Sequence, residues 1–110
     1  MDSRDDAMLL AEVAEDRKAV DVKILDIRKI TVVADYFVIA SAPNSIQVRA
    51  IADTIEERAK DKGLRPRHRE GYAGGRWILL DYGPVIVHVF HNDERKFYDL
   101  ERLWGDASGV

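Results

Sequence analysis

The chain contains no cysteine among its 110 residues. A disulfide framework and thiolate zinc sites are therefore excluded, and a reducing compartment such as the cytosol fits. No apolar run approaches the roughly 20 residues that cross a bilayer. The opening residues, MDSRDDAMLL, are acidic and lack the basic region that starts a signal peptide. A cytoplasmic location is expected. Positive charge is also short, with a formal net charge of -3. Neutralising a phosphate backbone needs clustered Lys and Arg. The one local cluster, RPRHRE at 65–70, is explained by a charged loop or edge strand. Little direct nucleic-acid contact is expected, and an acidic domain more naturally meets a basic partner.

Chemical motifs are missing too. Gly71, Gly74 and Gly75 do not fit G-x-G-x-x-G, and no G-K-[ST] follows. His88 and His91 are three apart on a strand, so they point to opposite faces and are poorly placed to share a metal. No G-x-S-x-G surrounds a serine. Two-metal phosphoryl chemistry needs two or three converging acids, commonly D-x-D on one strand face. VKILDIR and WILLDYG offer one acid each, Asp26 and Asp81, with Glu70 a third candidate. No cofactor or metal is expected. The enzymatic alternative is a nucleotidyltransferase-like site using Asp26, Glu70 and Asp81 with magnesium.

What remains is an ordinary globular composition, 46% hydrophobic and 34% charged. Its length favours one domain, residues 1–110. Ala7, Leu10, Ala11 and Ala14 space a helix over 4–18, with Asp2 or Ser3 as its cap. Residues 22–27 alternate along a β-rich run, and 36–40 form a second. The short connection makes these two antiparallel. Asn44 caps a second helix, with Gln47 completing a capping box, and Val48, Ile51, Ala52, Ile55 and Ala59 form its apolar stripe. A weak strand at 65–70 and a turn at 71–75 precede WILLDYGPVIVHVF at 77–90, which reads as a hairpin. A last helix begins near Asn92, with Phe97, Leu100 and Trp104 as its buried stripe and Tyr98 off that stripe's centre. The expected fold is α/β, a single domain with a mixed five-stranded sheet and flanking helices.

With Gly83 and Pro84 as the hairpin loop, Tyr82, Leu80 and Ile78 oppose Val85, Val87 and Val89 on an apolar face that packs on helices. The other face pairs Trp77 with Phe90, Leu79 with His88, and Asp81 with Ile86. It mixes apolar area with polar points, as a surface covered by another molecule does. The alternative is that the last helix covers this face, making Trp77 and Phe90 core and His88 a hydrogen-bonded interior residue.

Four segments carry a resemblance: D-Y-F-V-I-A-S at 35–41, W-x-L-L-D-Y-G at 77–83, V-x-V-H-V-F at 85–90 and F-Y-D-L-E-x-L-W at 97–104. Together, in this order, they resemble the RsfS family, also called Iojap, the bacterial and organellar ribosomal silencing factors. The resemblance implies a nucleotidyltransferase-like topology without the catalytic acids. It also implies a protein, not an enzyme, that binds the large ribosomal subunit through its fourteenth protein, blocks subunit joining and represses translation when nutrients are short. Carried over, Trp77 and Tyr98 are expected as contact residues, followed by Glu70, Leu79, Asp81 and His88. An apolar face left uncovered is also compatible with a homodimer. This chain departs from the family at Pro43, where a small polar residue is usual, at Ile46, where Arg is, and at Pro84, where Asp is frequent.

Overall fold

The computed structural model describes residues 2–105 and 108–109. Helix α1 (Ser3–Asp16) starts where the Asp2 carboxylate accepts a hydrogen bond from the Asp5 amide at 2.9 Å. Asp5 and Asp6 follow at the positive end of the helix dipole. Its expected apolar residues are buried, with Val13 beside them. Strands β1 (Val20–Asp26) and β2 (Tyr36–Ala42) are antiparallel. Every residue of β2 is buried, as a central strand covered on both faces requires.

Helix α2 (Ser45–Asp61) is capped by Asn44, whose side chain accepts from the Gln47 amide at 2.9 Å. Gln47 differs from the expected capping box. Its side-chain oxygen takes the Asn44 side-chain amide at 3.1 Å, where a box would take the cap's backbone N–H. The stripe from Val48 to Ala59 is buried as predicted.

The weak strand shrinks to β3 (His68–Glu70), followed by β4 (Trp77–Asp81) and β5 (Val85–His91). The sheet order is β3-β4-β5-β2-β1-β6. Here β6 (Ser108–Gly109) is a two-residue strand on Leu25 and Asp26, added to the five expected. The pairing of β2 with β5 is parallel and the others are antiparallel, so the sheet is mixed. Helices α1 and α2 cover one face with a single apolar cluster. No helix of the described residues is long and apolar enough to cross a membrane.

The last helix departs from expectation. It is two helices, α3 (Asn92–Tyr98) and α4 (Leu100–Leu103), separated by Asp99 in the left-handed region at φ 47, ψ 56. One left-handed residue breaks the phase of 100° per residue, so side chains before and after it cannot share a stripe. Phe97 is accordingly 79% exposed while Leu100 is buried and Trp104 half-buried. Asp106 and Ala107, just beyond the F-Y-D-L-E-x-L-W segment, lie outside the described residues.

Candidate functional site

The hairpin folds as its sequence predicts. The Tyr82 amide donates to the Val85 carbonyl at 2.9 Å, and the Asp81 carboxylate accepts the Gly83 amide at 2.7 Å. Gly83 sits at φ +86, a conformation that disfavours side chains. The register pairs Trp77 with Phe90, Leu79 with His88 and Asp81 with Ile86. Ile78, Leu80, Tyr82, Val85, Val87 and Val89 are buried against α1 and α2.

The second face is divided, one half interior and the other half open. Phe90 and His88 are interior, grouped with Phe37 and Ile39 beside Leu100 and Trp104. Trp77, Leu79, Asp81 and Ile86 remain half-buried. Trp77 lies at the boundary. Its ring stacks on Phe90 and leans on Tyr98, both at 4.8 Å between centroids. Tyr98 reaches it because it ends α3, just before the left-handed Asp99. It stays 47% exposed, with Phe97 set edge-on against it.

His88 is a correction. The structure places it under the surface, 5% exposed, with its Nδ1 accepting from Trp77 Nε1 at 3.1 Å. Burial pushes its pKa down to about 4, which leaves the imidazole neutral. It touches Trp77 and Phe37, not solvent. Local pattern gave its face but not what covers that face.

Glu70 pairs with Leu79 across β3 and β4, and opposed residues share a face, so this exposed acid flanks the open half. Glu70, Gly71, Trp77 and Leu79 line a shallow depression there. Gly71 is at φ +81, and a Cβ on it would collide with the Trp77 carbonyl. The turn at 71–75 is pinned to α2 by Arg49, whose guanidinium donates to the Tyr72 carbonyl at 3.0 Å and the Ala73 carbonyl at 2.7 Å. The Tyr72 hydroxyl adds a bond to Asp53 at 2.8 Å. Sequence reasoning missed Arg49, because its partners are more than 20 residues away and no local motif marks it.

The acid triplet of the enzymatic alternative is not assembled. Asp26 lies on β1, three strand spacings from β4, about 14 Å. It also faces the α1 and α2 side, since Asp26 pairs with Tyr36 and Tyr36 with Val85. Arg28 binds it at 2.6 Å and holds its pKa down to about 2. Among the described residues no three acids or histidines group to hold a metal ion. Of the departures, Pro43 and Ile46 are exposed at the start of α2, and the Pro84 carbonyl accepts from the Asp35 and Tyr36 amides at 2.7 and 3.1 Å.

Comparison with known proteins places the chain in a family. The family model described as ribosomal silencing factor during starvation matches residues 1–110. Ribosomal silencing factor RsfS of Bacillus subtilis (strain 168) is 46% identical over 99 residues, covering 90% of this chain and 84% of that protein. The RsfS of Halalkalibacterium halodurans is 41% identical over 110 residues, covering 100% of this chain and 94% of that one. A crystal structure of a protein from Chromobacterium violaceum superposes with a TM-score of 0.92 at 34% identity, covering 96% of this chain and 88% of that chain. The chain belongs to the RsfS family of ribosomal silencing factors.

Proposed function

We propose that this protein docks on the large ribosomal subunit, through its fourteenth protein, and blocks joining of the small subunit. The observation that carries the reading is Trp77, a half-buried indole fixed between Phe90 and Tyr98 at the edge of an open apolar patch. Tryptophan in such a setting is a frequent anchor of interfaces. Leu79 and Ile86 extend the apolar centre, and Tyr98 offers both a ring and a hydroxyl at its rim. Glu70 and Asp81 supply carboxylates for Lys or Arg of a basic ribosomal protein, in keeping with the net charge of -3. Steric exclusion needs no turnover and no cofactor. It needs only a footprint that overlaps the subunit interface. In the cytoplasm of a nutrient-limited cell, translation then falls. A second copy seated on the same face would compete with the ribosome, so dimer and ribosome binding are mutually exclusive in this reading.

Co-sedimentation with isolated large subunits, with small subunits as the control, tests it. Selective pelleting with large subunits is expected. Trp77→Ala is expected to stay folded and to bind at least about 30-fold more weakly, the loss of an interface hot spot. Absence of pelleting at micromolar concentration would overturn the reading. An unfolded Trp77→Ala would instead place Trp77 in the core.

A further inference from the structure

The Trp77 indole is held by contacts of two kinds. Stacking on Phe90, with 30° between the planes, and the tilted contact with Tyr98, at 46°, tolerate a broad range of ring orientations. The third contact is directional: the indole N–H donates to His88 Nδ1 at 3.1 Å. His88 is otherwise surrounded by apolar groups. Phe37 meets it edge-on at 4.8 Å, and Phe90 lies 6.1 Å away. Its second nitrogen, Nε2, is buried with no hydrogen-bond partner among the described residues. A leucine would fill this position without desolvating a polar nitrogen. Packing alone therefore does not account for an imidazole here.

We infer that His88 is a positioning residue, whose Nδ1 holds the Trp77 indole in one orientation for the ribosomal partner. The inference rests on the docking role proposed for Trp77. Because burial keeps the imidazole neutral, Nδ1 is available as an acceptor and Nε2 carries the proton. His88 itself never reaches the partner. It acts by removing alternative indole orientations before binding, so the complex forms without the entropy cost of selecting one.

Two nearly isosteric variants separate this role from packing. His88→Leu removes the acceptor, whereas His88→Asn keeps an oxygen close to where Nδ1 stands. The chain has two tryptophans, so a ¹⁵N-labelled sample shows two indole N–H signals, assigned with Trp77→Phe. In His88→Leu the Trp77 indole signal is expected to lose its downfield shift and its exchange protection. Binding to large subunits should weaken about 3- to 10-fold, the range for one neutral hydrogen bond. His88→Asn should restore both. It should also melt at a lower temperature than His88→Leu, because its spare amide hydrogens are buried. Affinity and stability then rank in opposite orders, which a packing role does not produce.

Equal, wild-type-like binding by the two variants would overturn the inference while leaving the docking reading intact. A wild-type chain that does not bind large subunits would remove the docking reading itself, and this inference with it. Should the variants fail to fold, the wild type decides. Long-range ¹⁵N–¹H correlation of the His88 ring must show the proton on Nε2, and a proton on Nδ1 would overturn the inference.

Discussion

His88 makes the fold sensitive to acid. Its folded pKa is about 4, against 6.5 for an unperturbed imidazole. Above pH 6.5 the folded and unfolded chains both hold it neutral, and it adds no slope. Between pH 6.5 and 4 the unfolded chain takes up a proton that the folded chain refuses, so stability falls as pH falls. The gap, 6.5 minus about 4, corresponds to about 3 kcal/mol at most. Urea unfolding measured from pH 7 to pH 4 should show that loss in the wild type and little of it in His88→Leu. Asp26 is depressed by Arg28, so its contribution is lost only below its ordinary value of 3.8. The two effects therefore fall in separate pH windows. Gly71 is the second informative residue. At φ +81, with the Trp77 carbonyl where a Cβ would stand, Gly71→Ala should cost about 2 kcal/mol or more and displace the start of β4. A lowered urea midpoint together with a shifted Trp77 indole signal would check this.

Among the elements, those with local signals were legible in the sequence. Asn44 and Asp2 are helix caps because their side chains compete for backbone amides, and that chemistry is visible in a few residues. The hairpin register follows from Gly83 and Pro84, and with it the two faces of β4 and β5. The parallel pairing of β2 with β5 was not legible, since it joins strands separated by a helix and two further strands. Nor was the break at Asp99, because neither Gly nor Pro marks it. That break decides the candidate site. It sends Tyr98 to Trp77 and leaves Phe97 and Leu103 exposed at 79% and 73%. Arg95 holds α3 in place, donating to Glu101 at 2.9 Å, to the Val20 carbonyl at 3.1 Å and to the Ser41 hydroxyl at 3.0 Å. Glycine adopts the left-handed region without steric penalty, so Asp99→Gly should raise stability by about 1 kcal/mol and keep the Trp77–Tyr98 contact. Thermal unfolding together with the Trp77 indole signal would check both parts. A destabilised Asp99→Gly would mean that the Asp99 side chain, not its backbone, maintains the break.

At the scale of the whole molecule, charge bears on the proposed docking more than on the fold. The fold spans 34 × 33 × 22 Å and carries a net charge of -3. Its proposed face sets two acids near an apolar centre: Glu70 exposed on β3, and Asp81 half-buried on β4. Charges at the rim of an interface act chiefly on encounter, and salt screens them over about 8–10 Å at physiological ionic strength. Apolar anchors act chiefly on dissociation. Asp81 also accepts the Gly83 amide in the hairpin turn, so it must be neutralised without losing an acceptor. Asp81→Asn does this where Asp81→Ala would not. The double variant Glu70→Gln, Asp81→Asn should therefore fold normally. It should associate with large subunits more slowly by roughly tenfold at low salt, lose most of the salt dependence of its association rate, and dissociate at nearly the wild-type rate. Trp77→Ala should show the reverse pattern, with a faster dissociation and an unchanged salt slope. Stopped-flow association at two ionic strengths separates them. If the double variant dissociates faster and keeps its salt slope, Glu70 and Asp81 make close contacts in the bound state, and steering comes from acids elsewhere on the molecule.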